Sequence, residues 1–265
     1  MASTTRRLIP FALTSLCCVS GFAQGVDRGI EYRKRADSVL QLVRADPLDW
    51  PTAESGAEAL LRDFPLRFDG YVDMMVLAWN AELAGKRDLE RKLAAEIAIL
   101  AGPDPAETPD WAGSPVGWAK GVIHRLDLEG QRVDLQFTAL DGQKVDLASM
   151  RGKVVLVDFW ATWCPPCRAS LPGVKASFEK YRAKGFQVVS ISWDNDQSTL
   201  EKFVAANGIP WPQHFEGSHR RLGEEFGIGG IPYMLLVDRQ GRLRSSSGSL
   251  DDPDFAGQIP KLLAE

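Results

Sequence analysis

The chain has 265 residues, of which 45% are hydrophobic and 25% are charged, and its formal net charge is −4 at pH 7. Nucleic acids and anionic membranes attract basic surfaces, so this acidic balance excludes both as expected partners. The length exceeds what one small domain needs and suits two domains.

The first 23 residues have the organisation of a secretory signal peptide. They contain no acidic residue, and Arg6 and Arg7 precede an apolar run at 8–19 that is too short to span a bilayer. Gly21 and Ala23 place small residues at the −3 and −1 positions of a cleavage site after Ala23. The sequence therefore predicts export, to the periplasm or a similar compartment, and a soluble mature chain. An uncleaved anchor is the alternative.

Residues 24–125 are predicted to form an all-helical region. Apolar residues recur at helical spacing in four segments, 27–45, 53–63, 71–84 and 88–101. Thr52 and Asp69 are the expected N-caps of the second and third helices. A segment rich in Pro, Asp and Gly at 102–115 is predicted to be a loop. The region has no cysteine, and we expect it to be a docking or dimerisation module without chemistry of its own.

From about residue 126 the pattern changes to strands that alternate with helices. An alternating segment at 133–140 ends at an Asp-Gly turn, and a β-α-β half and a β-β-α half follow. The predicted strands are 154–160, 186–193, 233–238 and 243–246, and the predicted helices are 165–184, 197–207, 220–226 and 255–263. This order predicts an α/β fold for residues 126–265, with a mixed central sheet flanked by helices.

The two cysteines outside the leader lie together in the sequence Trp-Cys-Pro-Pro-Cys at 163–167, directly after the apolar strand 154–160. A Cys-x-x-Cys pair that follows a strand and opens a helix is typical of a dithiol/disulfide redox centre. Half of a zinc site is the alternative. Zinc needs four ligands, and His124, His214 and His219 show no ligand spacing. We expect neither a metal nor an organic cofactor.

The helix that opens at this pair places Cys164 at its N-cap, Pro165 and Pro166 at its first two positions, and Cys167 at the third. Pro166 has no amide N–H, so a Cys164 thiolate has only the Cys167 amide and the helix dipole to stabilise it. We expect a modestly lowered pKa for Cys164 as the attacking thiolate, with Cys167 as the resolving thiol. Asp158 lies inside the apolar strand, where burial would raise its pKa; an exposed strand edge is the alternative.

These motifs resemble those of the thioredoxin superfamily, and within it those of the exported TlpA/ResA-like thiol-disulfide oxidoreductases. The resemblance covers about residues 130–265. It rests on Val-Asp-Phe-Trp-Ala-Thr-Trp-Cys-Pro-Pro-Cys at 157–167, on Pro172 in the following helix, and on Gly-Ile-Pro at 230–232 before a strand. ResA-like members often have a glutamate three residues after the second cysteine, where this chain has Ser170, so that glutamate's role does not carry over.

The resemblance implies a thioredoxin-like fold and a redox disulfide between Cys164 and Cys167. It also implies that Asp158 acts as the general acid/base for Cys167.

The same resemblance implies a substrate-binding surface next to the disulfide. Pro232 would be preceded by a cis peptide bond and would face the disulfide, and the Ile231 backbone would pair with an extended substrate segment. Trp163 would lie on the exposed rim of this surface, whereas Trp160 would belong to the core.

The activity implied is that of an enzyme that reduces protein disulfides. Its partners would be client protein disulfides or thiols and a membrane-bound electron donor, because a reductant in an oxidising compartment must be re-reduced. The same chemistry run as an oxidase or isomerase is one alternative. A peroxidase of the peroxiredoxin branch is another, although the residues at 159–164 lack its Pro-x-x-x-Thr-x-x-Cys context. A redox-gated binding module without turnover is the third.

Overall fold

The computed structural model describes residues 23–44, 49–64, 68–100, 115–247 and 253–265. The chain divides into two compact units, Met1–Ala101 and Gly102–Glu265. The predicted signal peptide lies outside the described residues except for Ala23, and the predicted loop at 102–115 does so except for Pro115. Within the described ranges, no helix is long and apolar enough to cross a membrane.

The described part of the first unit is helical, as predicted. Its helices are α1 (Ala23–Arg44), α2 (Trp50–Asp63), α3 (Phe68–Leu83) and α4 (Arg87–Leu100). Helix α1 packs against α2, and α3 packs against α4. Leu93, Ala94 and Ile97 on α4 are fully buried, which is the apolar stripe that the helical spacing predicts.

The caps of two of these helices differ from the predicted ones. Helix α2 is capped by Asp49, whose carboxylate accepts a hydrogen bond of 3.2 Å from the Thr52 amide, so Thr52 is not the cap. Helix α3 begins at Phe68, which places Asp69 inside its first turn instead of before it. Both errors arise because any Asp, Ser or Thr near a helix start is a possible cap.

The second unit begins with helix α5 (Pro115–Asp127) and contains two sheets. The strands are β1 (Gln136–Thr138) and β2 (Lys144–Asp146) in the small sheet, and β3 (Val154–Trp160), β4 (Phe186–Ser192), β5 (Gln213–Phe215), β6 (Tyr233–Val237) and β7 (Leu243–Ser247) in the large one. The further helices are α6 (Pro165–Tyr181), α7 (Gln197–Ala206), α8 (Arg221–Glu225), α9 (Pro253–Ala256) and α10 (Gln258–Ala264).

The large sheet is mixed, with strand order β5-β4-β3-β6-β7. The central strand β3 runs parallel to β4 and antiparallel to β6, and all seven of its residues are buried. This arrangement confirms the predicted α/β fold with a mixed sheet flanked by helices. Strand β5 was not predicted, because three residues are too few to show a period of two.

The second compact unit begins at Gly102 and includes helix α5, whereas the sequence predicts a domain boundary after residue 125. The helix packs against α8. Its Arg125 is buried and donates a hydrogen bond of 2.9 Å from Nε to the Phe226 carbonyl. Helix α5 is not among the four helical segments predicted within residues 24–125, and a helical period would not have indicated which unit its buried face contacts.

Candidate active site

Cys164 caps helix α6 in the way that the sequence predicts. Strand β3 ends at Trp160, and Cys164 has an extended backbone, with φ −89° and ψ 108°, before Pro165 begins the helix. The Cys167 amide donates to the Cys164 sulfur at 3.3 Å. Pro166 has no N–H to donate. The first turn of α6 therefore stabilises a Cys164 thiolate less than it would with an ordinary residue at position 166.

Cys164 and Cys167 form a disulfide, with their Cα atoms 5.3 Å apart. Both residues are almost fully buried, with exposed fractions of 3% and 2%. Ser170, at the position of the family's glutamate, is also buried and donates a hydrogen bond of 2.9 Å to the Cys167 carbonyl. Among the residues that the structure describes, no three His, Cys, Asp or Glu side chains cluster as metal ligands would.

The peptide bond between Ile231 and Pro232 is cis, and it lies directly against the disulfide. The Ile231 carbonyl oxygen is 3.7 Å from the Cys164 sulfur. Within the described part of the chain, no backbone hydrogen bond engages the Ile231 amide or carbonyl. The tertiary structure thus brings together residues that are 67 positions apart, and it leaves a backbone edge beside the Cys164 sulfur.

Asp158 lies in the middle of β3 and is 6% exposed, so the alternative of an exposed strand edge is wrong. Its carboxylate accepts a hydrogen bond of 3.1 Å from the Ser190 hydroxyl on β4. Burial raises the pKa of Asp158 from 3.8 to about 7, and the Ser190 hydrogen bond offsets part of this rise. Among the described residues, no hydrogen bond joins this carboxylate to either cysteine. Asp158 lies six residues before Cys164, on the strand that leads into the motif.

The two tryptophans near the cysteines have the exposures expected of them. Trp163 is 50% exposed, and its indole N–H donates to the Trp193 carbonyl at 3.3 Å. Trp160 is 3% exposed and donates to the Gln213 side chain at 3.0 Å. Trp163 therefore presents a large apolar ring to solvent immediately before Cys164.

Sequence reasoning missed a buried carboxylate that holds the loop before the cysteines. Asp194 is 1% exposed and accepts hydrogen bonds from the Thr162 amide at 3.1 Å, the Thr162 hydroxyl at 2.5 Å and the Ser192 hydroxyl at 2.7 Å. Thr162 lies two residues before Cys164, so Asp194 anchors the approach to the motif. An acid just after a predicted strand is a weak signal, and only the pairing of β3 with β4 identifies its partner.

The arrangement suits exchange between a dithiol and a disulfide. One sulfur lies at a helix N-terminus with an amide donor, a second is within bonding distance, and a buried carboxyl group with a pKa near neutrality lies on the strand before them. Such a carboxyl group can accept and return a proton at physiological pH, which thiol chemistry requires.

Comparison with known proteins gives matches to about half of the chain, and the match to a family model lies in the second unit. A protein-family model described as Redoxin matches residues 127–254. Tryparedoxin of Trypanosoma brucei brucei is 34% identical over 125 residues, which are 43% of this chain and 83% of tryparedoxin. The thiol-disulfide oxidoreductase ResA of Bacillus thuringiensis (strain Al Hakam) is 30% identical over 106 residues, which are 40% of this chain and 61% of ResA. The chain thus spans less than two thirds of the ResA length.

Among solved structures, the thioredoxin domain of a thiol-disulfide oxidoreductase from Bacteroides vulgatus is 26% identical. The match covers 51% of this chain and 97% of that domain, with a TM-score of 0.47.

The likeness to tryparedoxin extends over most of that protein and is not confined to the cysteine motif. The Redoxin match likewise runs from the end of α5 to the beginning of α9. The chain therefore belongs to the thioredoxin superfamily, in its TlpA/ResA-like group of thiol-disulfide oxidoreductases.

Proposed function

We propose that this protein is an exported thiol-disulfide oxidoreductase that reduces disulfide bonds in client proteins. The observation that carries the proposal is the Cys164 sulfur at a helix N-terminus, 3.7 Å from the carbonyl of Ile231. An exchangeable sulfur beside an unpaired backbone edge suits an extended protein segment, which can add to that edge by main-chain hydrogen bonds. Export is supported by the signal-peptide organisation of the first 23 residues.

In the reaction, the Cys164 thiolate attacks one sulfur of the client disulfide. The client S–S bond breaks, a mixed disulfide forms, and the first client sulfur leaves as a thiolate that takes up a proton. Cys167 then loses its proton and attacks the Cys164 sulfur, which releases the second client thiol. The products are a client dithiol and the Cys164–Cys167 disulfide, so two electrons pass from the protein to the client.

Asp158 would accept the Cys167 proton in the second step. Its buried position and its pKa of about 7 support this role, because a base with a pKa near the ambient pH is neither permanently charged nor permanently protonated. The usual glutamate position holds Ser170, which does not ionise at physiological pH, so Asp158 would perform this transfer alone.

The proposed direction is reduction of the client. A strongly oxidising couple requires an unusually stable thiolate at the attacking cysteine. Here Pro166 removes one amide donor, and the partial negative charge of the Ile231 carbonyl oxygen lies 3.7 Å from the Cys164 sulfur and opposes an anion there.

A reductant in an oxidising compartment needs its own supply of electrons. We therefore include a membrane-bound dithiol donor in the proposal, which would reduce the Cys164–Cys167 disulfide after each turnover. The helical unit of α1 to α4 would dock the client or donor, or a second copy of the chain. The described part of the first unit contains no cysteine, so we propose no chemistry of its own for it.

Insulin reduction tests the proposed activity. The full chain, with dithiothreitol as electron source, should accelerate insulin precipitation, whereas Cys164→Ser should abolish the acceleration. Cys167→Ser should instead accumulate a mixed disulfide with insulin, detectable by mass spectrometry, because its attacking thiol remains. A wild-type chain that gives no acceleration over dithiothreitol alone would favour the redox-gated binding module. Efficient oxidation of a reduced client with no reductase activity would favour an oxidase.

A further inference from the structure

Helix α5 contacts the loop that carries the cis-proline. We name residues 226–232, between α8 and β6, the cis-proline loop. The Redoxin match begins at the last residue of α5, so nearly all of this helix lies outside the region that the family shares. Its buried residues are Pro115, Trp118, Ala119, Gly121, Val122, Arg125 and Leu126.

The backbones of the helix and the loop touch without an intervening side chain. A Cβ atom added to Gly121 would overlap the Glu224 carbonyl oxygen, and one added to Gly227 would overlap the Val122 amide nitrogen. Gly227 also has a φ of 63°, which favours glycine. The two glycines therefore allow the loop backbone to lie in direct contact with the helix backbone. A side chain at either position would push the loop away from α5.

Arg125 ties both ends of the cis-proline loop to α5. Its Nε donates to the Phe226 carbonyl at 2.9 Å, at the start of the loop. Its guanidinium lies over the ring of Tyr233, 5.3 Å from the ring centre, and Tyr233 directly follows Pro232. A third contact, from Nη1 to the Ser246 hydroxyl at 3.2 Å, anchors the guanidinium to β7. The side chain is 1% exposed, so these contacts replace water as its hydrogen-bonding environment.

The middle of the loop is held as well. A Cβ atom on Gly229 would lie 2.9 Å from the indole nitrogen of Trp118, so this part of the loop rests on the α5 tryptophan. The loop that presents Ile231 to the Cys164 sulfur is thus supported by α5 at its start, its middle and its end.

We propose that Arg125 is a positioning residue that sets the cis-proline loop for protein substrates and thereby favours protein disulfides over small ones. The inference rests on the proposed function. A client segment that pairs with the Ile231 backbone needs donor–acceptor distances within a few tenths of an ångström of about 2.9 Å, so a small shift of the loop breaks the pairing. A small aromatic or aliphatic disulfide makes no strand pairing and needs only access to the Cys164 thiolate.

The test compares two substrates with the full-length chain. The reduced protein is mixed in single turnover with insulin and, separately, with 5,5′-dithiobis(2-nitrobenzoate), and the second-order rate constants are measured. The variants are Arg125→Met, which keeps the length of the side chain and removes its donors, and Arg125→Lys, which keeps the charge and the aliphatic stem. Arg182→Met is the matched control, because Arg182 is exposed and forms an ion pair of 3.1 Å with the exposed Glu179 at the far end of α6.

We expect Arg125→Met to lower the insulin rate constant by about tenfold to a hundredfold and to leave the small-disulfide rate constant within about twofold of wild type. Arg125→Lys should fall between wild type and Arg125→Met with insulin, and Arg182→Met should match wild type with both substrates. Equal losses with both substrates, or no loss with insulin, overturn the inference. If Arg125→Met does not fold, the same comparison with Arg125→Lys decides. A wild-type chain that reduces the small disulfide but not insulin refutes the proposed protein substrate and the inference with it. If the wild-type chain reduces both substrates, the proposed function holds and the variants test the role of Arg125 by itself.

Discussion

The Ser190 hydroxyl on β4 donates a hydrogen bond of 3.1 Å to the Asp158 carboxylate on the neighbouring strand β3, in the interior of the sheet. The Trp211 indole in turn donates to the Ser190 oxygen at 2.9 Å. One hydroxyl donor favours the charged carboxylate, but loss of water opposes it more strongly, and the pKa of Asp158 rises to about 7. We expect this balance to make both the stability of the protein and its proposed thiol chemistry dependent on pH.

The stability should depend on pH through Asp158. In the unfolded chain this group ionises near 3.8, whereas in the native protein it keeps its proton until about pH 7. The free energy of unfolding therefore falls as the pH rises from about 4 to about 7 and is constant above that range, a loss of about 4 kcal/mol for a shift of this size. Asp158→Asn cannot ionise and should be more stable than wild type at pH 8, with a difference that shrinks towards pH 4.

Urea denaturation of the oxidised protein at pH 4.5, 6 and 8 measures this difference. Asp134→Asn is the control, because Asp134 is exposed on the same unit, and it should leave the pH dependence unchanged. A stability difference between Asp158→Asn and wild type that is the same at pH 4.5 and pH 8 would contradict the raised pKa.

The same substitution should slow the second exchange step. Without the Asp158 carboxylate, the Cys167 thiol must lose its proton to water, and loss of a general base typically costs about a hundredfold or more in rate. We expect the mixed disulfide with insulin to persist in Asp158→Asn at pH 6–7 and to resolve faster as the pH approaches the usual thiol pKa of about 8.5. Acid quenching followed by mass spectrometry follows the mixed disulfide. Exchange rates equal to those of wild type across pH 6–8 would exclude the role of Asp158.

The reduction potential of the Cys164–Cys167 couple should lie nearer the thioredoxin value of about −270 mV than the DsbA value of about −120 mV. The physical reason is the limited stability of the Cys164 thiolate, which has the Cys167 amide at 3.3 Å but no N–H from Pro166, and which faces a carbonyl oxygen. Equilibration with glutathione and dithiothreitol buffers gives the potential. Replacing Pro166 with Ala restores an amide and should shift the potential upward. A wild-type potential near −120 mV would reverse the proposed direction of the reaction.

Truncation should distinguish the two possible domain boundaries. A chain that begins at Gly102 keeps α5, whereas a chain that begins at residue 128 loses it and exposes the surface that Trp118, Val122 and Leu126 cover. At about 1.5–3 kcal/mol for each buried large apolar side chain, the shorter chain should lose on the order of 5 kcal/mol of stability. Equal midpoints of urea denaturation for the two truncated chains would show that α5 adds nothing to the second unit.

The chain that begins at Gly102 also tests the docking role of the first unit. It should reduce insulin as fast as the full chain, because insulin is not the physiological partner that the helical unit is proposed to bind. It should reduce the physiological client, or accept electrons from the physiological donor, more slowly. Equal rates with those partners would remove the docking proposal.

The local part of the site follows from the sequence alone. The helix that opens at Cys164, the amide missing at Pro166 and the buried run of β3 depend on residues close together in the chain, and the structure has them where the sequence predicts. The resemblance in the motifs adds the cis bond before Pro232 and the Cys164–Cys167 disulfide, both of which are present.

Other features became visible only in the tertiary structure. The Asp194 carboxylate meets Thr162 because β3 and β4 pair in one particular register, and neither residue signals the other along the chain. Likewise, the helical period of α5 does not indicate that Arg125 would contact Phe226, 101 residues later. The sequence by itself determined which residues would carry the proposed sulfur chemistry and what local conformation they adopt, because backbone preferences and short-range hydrogen bonds act within a few residues. Only the tertiary structure decided what supports the loop opposite the sulfur and where the chain divides, because those outcomes depend on which buried surfaces meet across long separations in the chain.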